Sequence, residues 1–112
     1  MAPITHHLHG DIVVIEPGGR ESLSDTDEGL QPLVRRLAGQ GHRKFVLNLH
    51  HVPYIDSTGL GAIARATITI SQRDGHLRLC DIPRRVRELM DAAKLTPVFQ
   101  VYGTVDEALR EF

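Results

Sequence analysis

At 112 residues the chain has room for one domain around one hydrophobic core, residues 1–112, and it holds no apolar run near the roughly 20 residues of a membrane helix. A net charge of −1 supplies no pull toward nucleic acid or anionic lipid, so neither is expected as a partner. One cysteine, Cys80, excludes an internal disulfide, and the His-rich start does not read as a secretory leader, which makes the cytoplasm the expected compartment. With five Phe and Tyr residues and no Trp, the core must be built from Val, Ile, Leu and Ala.

Ile12 to Ile15 reads as a buried strand with a partner strand at Ile4 to Leu8, stopped by Pro17-Gly18-Gly19. Ser24 or Asp25 is a candidate cap for a first helix, with Glu28 completing a capping-box pair with Asp25. Leu30, Leu33, Val34 and Leu37 form one helical face, interrupted early by Pro32 and ended by Gly39 and Gly41. Phe45 to Leu49 is a second clear strand. A helix is predicted from near Ser57 to Arg73, with Leu60, Ile63, Ala64, Thr67, Ile70 and Ser71 inward and Gly75 as the stop. His76 to Cys80 alternates as a strand, with Cys80 as a small core residue. Pro83 suits the first turn of a third helix whose apolar side is Val86, Leu89, Met90 and Ala93. Val98 to Tyr102 is a last strand, and Thr104 with Glu107 caps a short helix carrying Ala108, Leu109 and Phe112. Strands alternating with helices predict an α/β fold: a mixed, mostly parallel sheet of four or five strands with about four helices.

In such sheets function tends to sit in the loops at the carboxyl ends of the strands, which points to the segment after Phe45 to Leu49. Asp56 and Ser57 are strong N-cap types where an apolar helix begins. The first N–H groups of a helix lack internal partners and the dipole is positive there, so a phosphate on Ser57 would be stabilised. Thr58 is a second hydroxyl. Gly59 and Gly61 are expected to leave the hydroxyl open to a partner's backbone or active site. A plain turn and helix cap remains the alternative for Asp-Ser-Thr-Gly, though two glycines in a first turn each cost about 0.5–1 kcal/mol relative to Ala.

Val46-Leu47-Asn48-Leu49 followed by Ile55-Asp56-Ser57-Thr58-Gly59-Leu60-Gly61 resembles the signature of the STAS domain, shared by sulfate transporters and bacterial anti-sigma factor antagonists. The resemblance continues through Gly75, Pro83-Arg84-Arg85-Val86, Leu95 and Glu107-Ala108-Leu109. It implies a protein-binding module of transcription regulation, not an enzyme and without a cofactor. It implies phosphorylation at Ser57 by an anti-sigma factor that is a serine kinase of the histidine-kinase-like ATPase fold, and resetting by a serine phosphatase. The dephosphorylated form would bind the anti-sigma factor and free a sigma factor. Asp56, Thr58, Gly59, Leu60, Gly61, Ser24 and Asp25 would support the switch or the partner face. The segment Gly19 to Ser24 departs from the family's Gly-x-Leu-Asp by two extra residues, with Ser24 or Asp25 at the acidic position, and Asn48 stands where many members have Asp. Within the fold the alternative is a scaffold or transport-accessory role with Ser57 unmodified.

Three other signals compete. Gly59-Leu60-Gly61-Ala62-Ile63-Ala64 matches the G-x-G-x-x-A variant of the dinucleotide fingerprint, and Asp81 lies 22 residues past Gly59. The fingerprint, however, wants its first Gly at the strand-to-helix turn, and a second nucleotide-binding half does not fit the length. Seven histidines, among them His6, His7, His9, His50 and His51, lack any metal-ligand spacing. Arg84, Arg85 and Arg87, interleaved with Glu88 and Asp91, read as a solvated face rather than an anion site. No Ser-His-Asp arrangement is indicated.

Overall fold

A computed structural model describes residues 3–23, 29–110 and 112. The expected partner strands are present as β1 (Ile4–His9) and β2 (Ile12–Pro17), an antiparallel hairpin turning at Gly10 with φ 64°. β3 (Lys44–Asn48), β4 (His76–Cys80) and β5 (Gln100–Tyr102) then add in parallel, giving one sheet in the order β1-β2-β3-β4-β5. Helices α1 (Leu30–Gly39), α2 (Ser57–Ser71) and α3 (Arg84–Ala92) make the crossovers, and α4 (Val105–Arg110) closes the chain. Because the strand order advances in one direction, right-handed crossovers place α1, α2 and α3 on the same face.

That face holds the main core: Val13, Ile15, Phe45, Leu47, Leu77 and Leu79 from the strands meet Leu33, Leu37, Ile63, Ile70, Val86 and Met90 from the helices. The opposite face carries a smaller cluster in which Ile12, Val14, Val46 and Cys80 pack against Ala108 of α4, flanked by Tyr102, Leu109 and Phe112. β2 and β3 are thus covered on both sides, the physical reason they read as continuous apolar runs.

Several boundaries depart from expectation. α1 begins at Leu30 with Gly29 at its N-cap and no side-chain cap, so neither Ser24 nor Asp25 occupies that cap; both residues, and Glu28, lie outside the described residues. The shift puts Pro32 in the first turn, where its missing N–H has no intrahelical partner to lose. In α2, Leu60, Ile63 and Ile70 are buried as expected and Ala64 and Thr67 half-buried, but Ser71 is exposed and the inward places belong to Ala62 and Ala66. Ala93 is exposed, since it lies beyond the end of α3, and Pro83 is the N-cap rather than a first-turn residue. The last strand is shorter, because a 3-10 turn occupies Thr96–Val98. At α4, Thr104 Oγ1 accepts the Glu107 N–H at 3.2 Å as the capping box requires, while Glu107 reaches the N–H of Gly103 instead of Thr104.

Helix α2 ends in a Schellman motif: the Gly75 N–H bonds Ile70 O at 2.9 Å and the Asp74 N–H bonds Ser71 O at 3.0 Å. Asp74, not Gly75, takes the left-handed conformation at φ 61°. Glycine is needed at 75 for another reason. A Cβ there would stand 2.6 Å from the Arg43 carbonyl oxygen and 2.8 Å from Ile70 Cγ2, where β3 and β4 start side by side.

Gly75→Ala should therefore destabilise the domain by about 1–3 kcal/mol through overpacking, seen as a lower urea midpoint with unchanged m-value. Cys80 supplies a second test. Burial, with Asp81 and Glu16 adding, pushes its thiol up to about 12. The folded chain favours the neutral thiol, so the associated stability is full below the ordinary value of 9.0 and is lost as pH rises toward about 12. Urea midpoints of the wild-type chain should fall over that window relative to those of Cys80→Ala.

Candidate functional site

Strand β3 leaves the sheet at Asn48, which is buried and bonds in two directions. Its Nδ2 donates to Glu16 Oε1 at 3.3 Å and its Oδ1 accepts the His50 N–H at 2.9 Å. A carboxylate at 48 could accept the second bond but not donate the first, so asparagine ties the loop to β2 in a way aspartate would not. The loop is then pinned by three buried side chains, Leu49, Val52 and Ile55, with the Val52 N–H on Leu49 O at 2.9 Å. Between these anchors His51, Pro53 and Tyr54 are exposed.

Asp56 is the N-cap of α2: its backbone is extended and its Oδ1 accepts the Gly59 N–H at 3.0 Å. Ser57 is consequently the first helical residue, and its N–H and that of Thr58 have no intrahelical acceptor. Asp56, Ser57 and Thr58 are all exposed, the geometry a phosphoacceptor needs.

The other expected switch residues divide. Leu60 is 5% exposed and belongs to the main core, so any support it lends the site is through packing. Gly59 is also buried, and a Cβ on it would lie 3.1 Å from the Cβ of Ile55; it is a packing glycine. At Gly61 an added Cβ would meet only the far end of the Arg65 side chain, at 3.3 Å, so core packing does not require this glycine. Ser24 and Asp25 lie outside the described residues.

The competing signals find their places. Ten residues separate the end of β3 from Gly59, and the Gly59 N–H is bonded by Asp56, so no phosphate cradle forms at the strand-to-helix turn. Among the described residues no three His, Cys, Asp or Glu side chains stand close enough to share a metal. The His50 and His51 rings meet edge to face at 4.4 Å between centroids. Arg84 pairs with Glu88 at 2.9 Å and Arg87 with Asp91 at 3.5 Å, as a solvated helical face does. Arg85 does not: its guanidinium lies over the Tyr54 ring, 4.9 Å from the centroid, and Arg20 lies over the same ring at 4.9 Å. The sequence carried no signal for this grouping, since its members are far apart in the chain and only the topology joins them.

The STAS domain model matches residues 5–108. The anti-sigma F factor antagonist of Paenibacillus polymyxa is 24% identical, the match covering 92% of this chain and 88% of the relative. The anti-sigma-B factor antagonist of Staphylococcus epidermidis is 27% identical over 83% of this chain and 85% of the relative. Among solved structures, the antagonist SpoIIAA in its unphosphorylated form superposes with a TM-score of 0.75 at 19% identity, covering 95% of this chain and 92% of that one. The phosphorylated form of SpoIIAA, a Bacillus cell-fate determinant, gives 0.71 at 17% identity, covering 96% of each.

Three substitutions separate the parts of this site. Asp56→Ala should cost about 1 kcal/mol by loss of the cap. Gly61→Ala should stabilise by about 0.5–1 kcal/mol through helix propensity. At Gly59→Ala the same gain meets the buried Ile55, and the variant should fall about 1 kcal/mol below Gly61→Ala in chemical denaturation. Equal stabilities for the two alanine variants would contradict the division of roles between the glycines.

Proposed function

This chain belongs to the STAS domain family, and we propose that it is an anti-sigma factor antagonist: a binding module that sequesters an anti-sigma factor, frees a sigma factor and is switched by phosphate on Ser57. The observation that carries the reading is the exposed hydroxyl of Ser57 at the first position of a helix capped by Asp56, within the family's motif. The anti-sigma factor is the serine kinase, a phosphatase resets the switch, and the chain is their substrate rather than a catalyst.

The switch acts locally. A phosphate adds about −1.5 to −2 charge at pH 7 where the N-terminus of α2 already favours an anion, so the domain itself is little disturbed. A partner surface shaped for a neutral serine has to desolvate that charge or pair it. About 2.7 kcal/mol of such cost lowers affinity roughly a hundredfold. That the SpoIIAA structures in both states share this fold supports a switch that works without refolding.

Incubation with the cognate anti-sigma kinase and ATP should place phosphate on Ser57. Incorporation that persists in Ser57→Ala would transfer the role to Thr58 and refute the assignment. Ser57→Ala should bind the partner constitutively and Ser57→Asp should imitate the phosphate only in part, having less charge and fewer acceptor oxygens. Amide spectra of the two forms should differ only around Ser57; changes spread along β3 and β4 would mean a conformational switch and defeat the local mechanism.

A further inference from the structure

The exits of three consecutive parallel strands each send one side chain to a common spot. Arg20 follows β2, Tyr54 follows β3 three residues before Ser57, and Arg85 opens α3 after β4. All three are exposed, Tyr54 at 37%, and both guanidinium groups lie over its ring at 4.9 Å from the centroid. A guanidinium held over an aromatic ring is attracted through the ring's quadrupole, which leaves its planar fork of N–H donors available to a carboxylate. The stack also limits the rotamers of both side chains, which lowers the entropy lost when they take up a ligand. On α3 the neighbouring Arg84 and Arg87 are engaged by Glu88 and Asp91. Among the described residues no carboxylate stands within 4.0 Å of the Arg20 or Arg85 nitrogens. The edge therefore presents two preorganised cations around one aromatic ring.

We propose that Arg20, Tyr54 and Arg85 form a clamp for an acidic segment of the partner protein, two carboxylates of one segment each taking one guanidinium. The proposal rests on this edge being the partner face. The Gly19 to Ser24 segment, the part of the sequence that departs most from the family pattern, supplies one arm, so the clamp gives this chain a partner preference of its own.

The test is an NMR titration of the labelled full chain with an acetylated hexaglutamate peptide as probe. The Nε–H resonances of Arg20 and Arg85 and the amides around Tyr54 should shift along one saturable curve, weakened by added salt. Arg20→Gln or Arg85→Gln should lower the affinity about tenfold. Tyr54→Leu keeps both charges but removes the platform, and should lower it about threefold. Hexalysine should shift none of these signals. Equal shifts at Arg84 and Arg87, an unchanged affinity for Tyr54→Leu, or the same response to inorganic phosphate at equal concentration would overturn the clamp. Phosphorylation of Ser57 by the kinase is read separately: a failed titration with Ser57 still modified removes the clamp and leaves the proposed function standing. Saturable binding with Ser57 unmodified does the reverse.

Discussion

The hydrogen bond from the Gly59 N–H to Asp56 Oδ1 decides where α2 begins, and most of the site follows from it. With Asp56 as the cap, Ser57 becomes the first helical residue, outside the core yet next to it. Shift the start by one residue and the helical face rotates by about 100°, which would carry Leu60 and Ile63 out of the core and Ser57 toward it. The cap is in turn placed by the residue before it. Ile55 is buried and packs on Gly59, so one apolar contact and one polar contact lock the same turn. A side chain on residue 59 would press on the first of these contacts, which explains a glycine where helix propensity alone would not put one.

The order of the sheet determines what shares an edge with Ser57. In an α/β sheet whose strand order reverses, neighbouring loops part at a switch point and leave a crevice for a small molecule. Here the order runs β1 to β5 without reversal, and the exits of β2, β3 and β4 lie in a row. The arrangement favours an open surface over a closed pocket. A recess of about 560 Å³ bordered by His50, Asp81 and Tyr102 is open rather than enclosed. A surface of this kind suits contact with another protein.

How much of this was legible in the sequence depends on the range of the interaction involved. The strands were readable because burial on both faces leaves uninterrupted apolar runs, as in Val13 to Ile15 and Phe45 to Leu47. The Thr104 and Glu107 cap was readable because its partners are three residues apart. The start of α1 was not. Asp25 and Glu28 have the composition of a capping box, but Gly29 holds the N-cap and the apolar face begins at Leu30. Gly59 and Gly61 look alike in sequence, and only the position of Ile55 distinguishes the crowded glycine from the uncrowded one. Arg85 was indistinguishable from Arg84 and Arg87 by charge pattern. It differs because Tyr54 arrives from another strand exit, a contact between residues about thirty positions apart.

Under the proposed function, the electrostatics of this edge would explain why one hydroxyl is enough for a switch. With Ser57 neutral, Arg20 and Arg85 outweigh Asp56, and the positive end of the α2 dipole adds to them. A phosphate on Ser57 contributes about −1.5 to −2 and turns the local balance from roughly +1 to slightly negative. No strand or helix has to move for that reversal, because Ser57 sits on the β3 exit, already held by Asn48, Leu49, Val52 and Ile55. On that reading a partner segment that carries carboxylates meets repulsion in place of attraction. Rigidity is the condition for such a device: were the loop free to relax, the new charge would be screened by rearrangement and the difference between the two states would shrink.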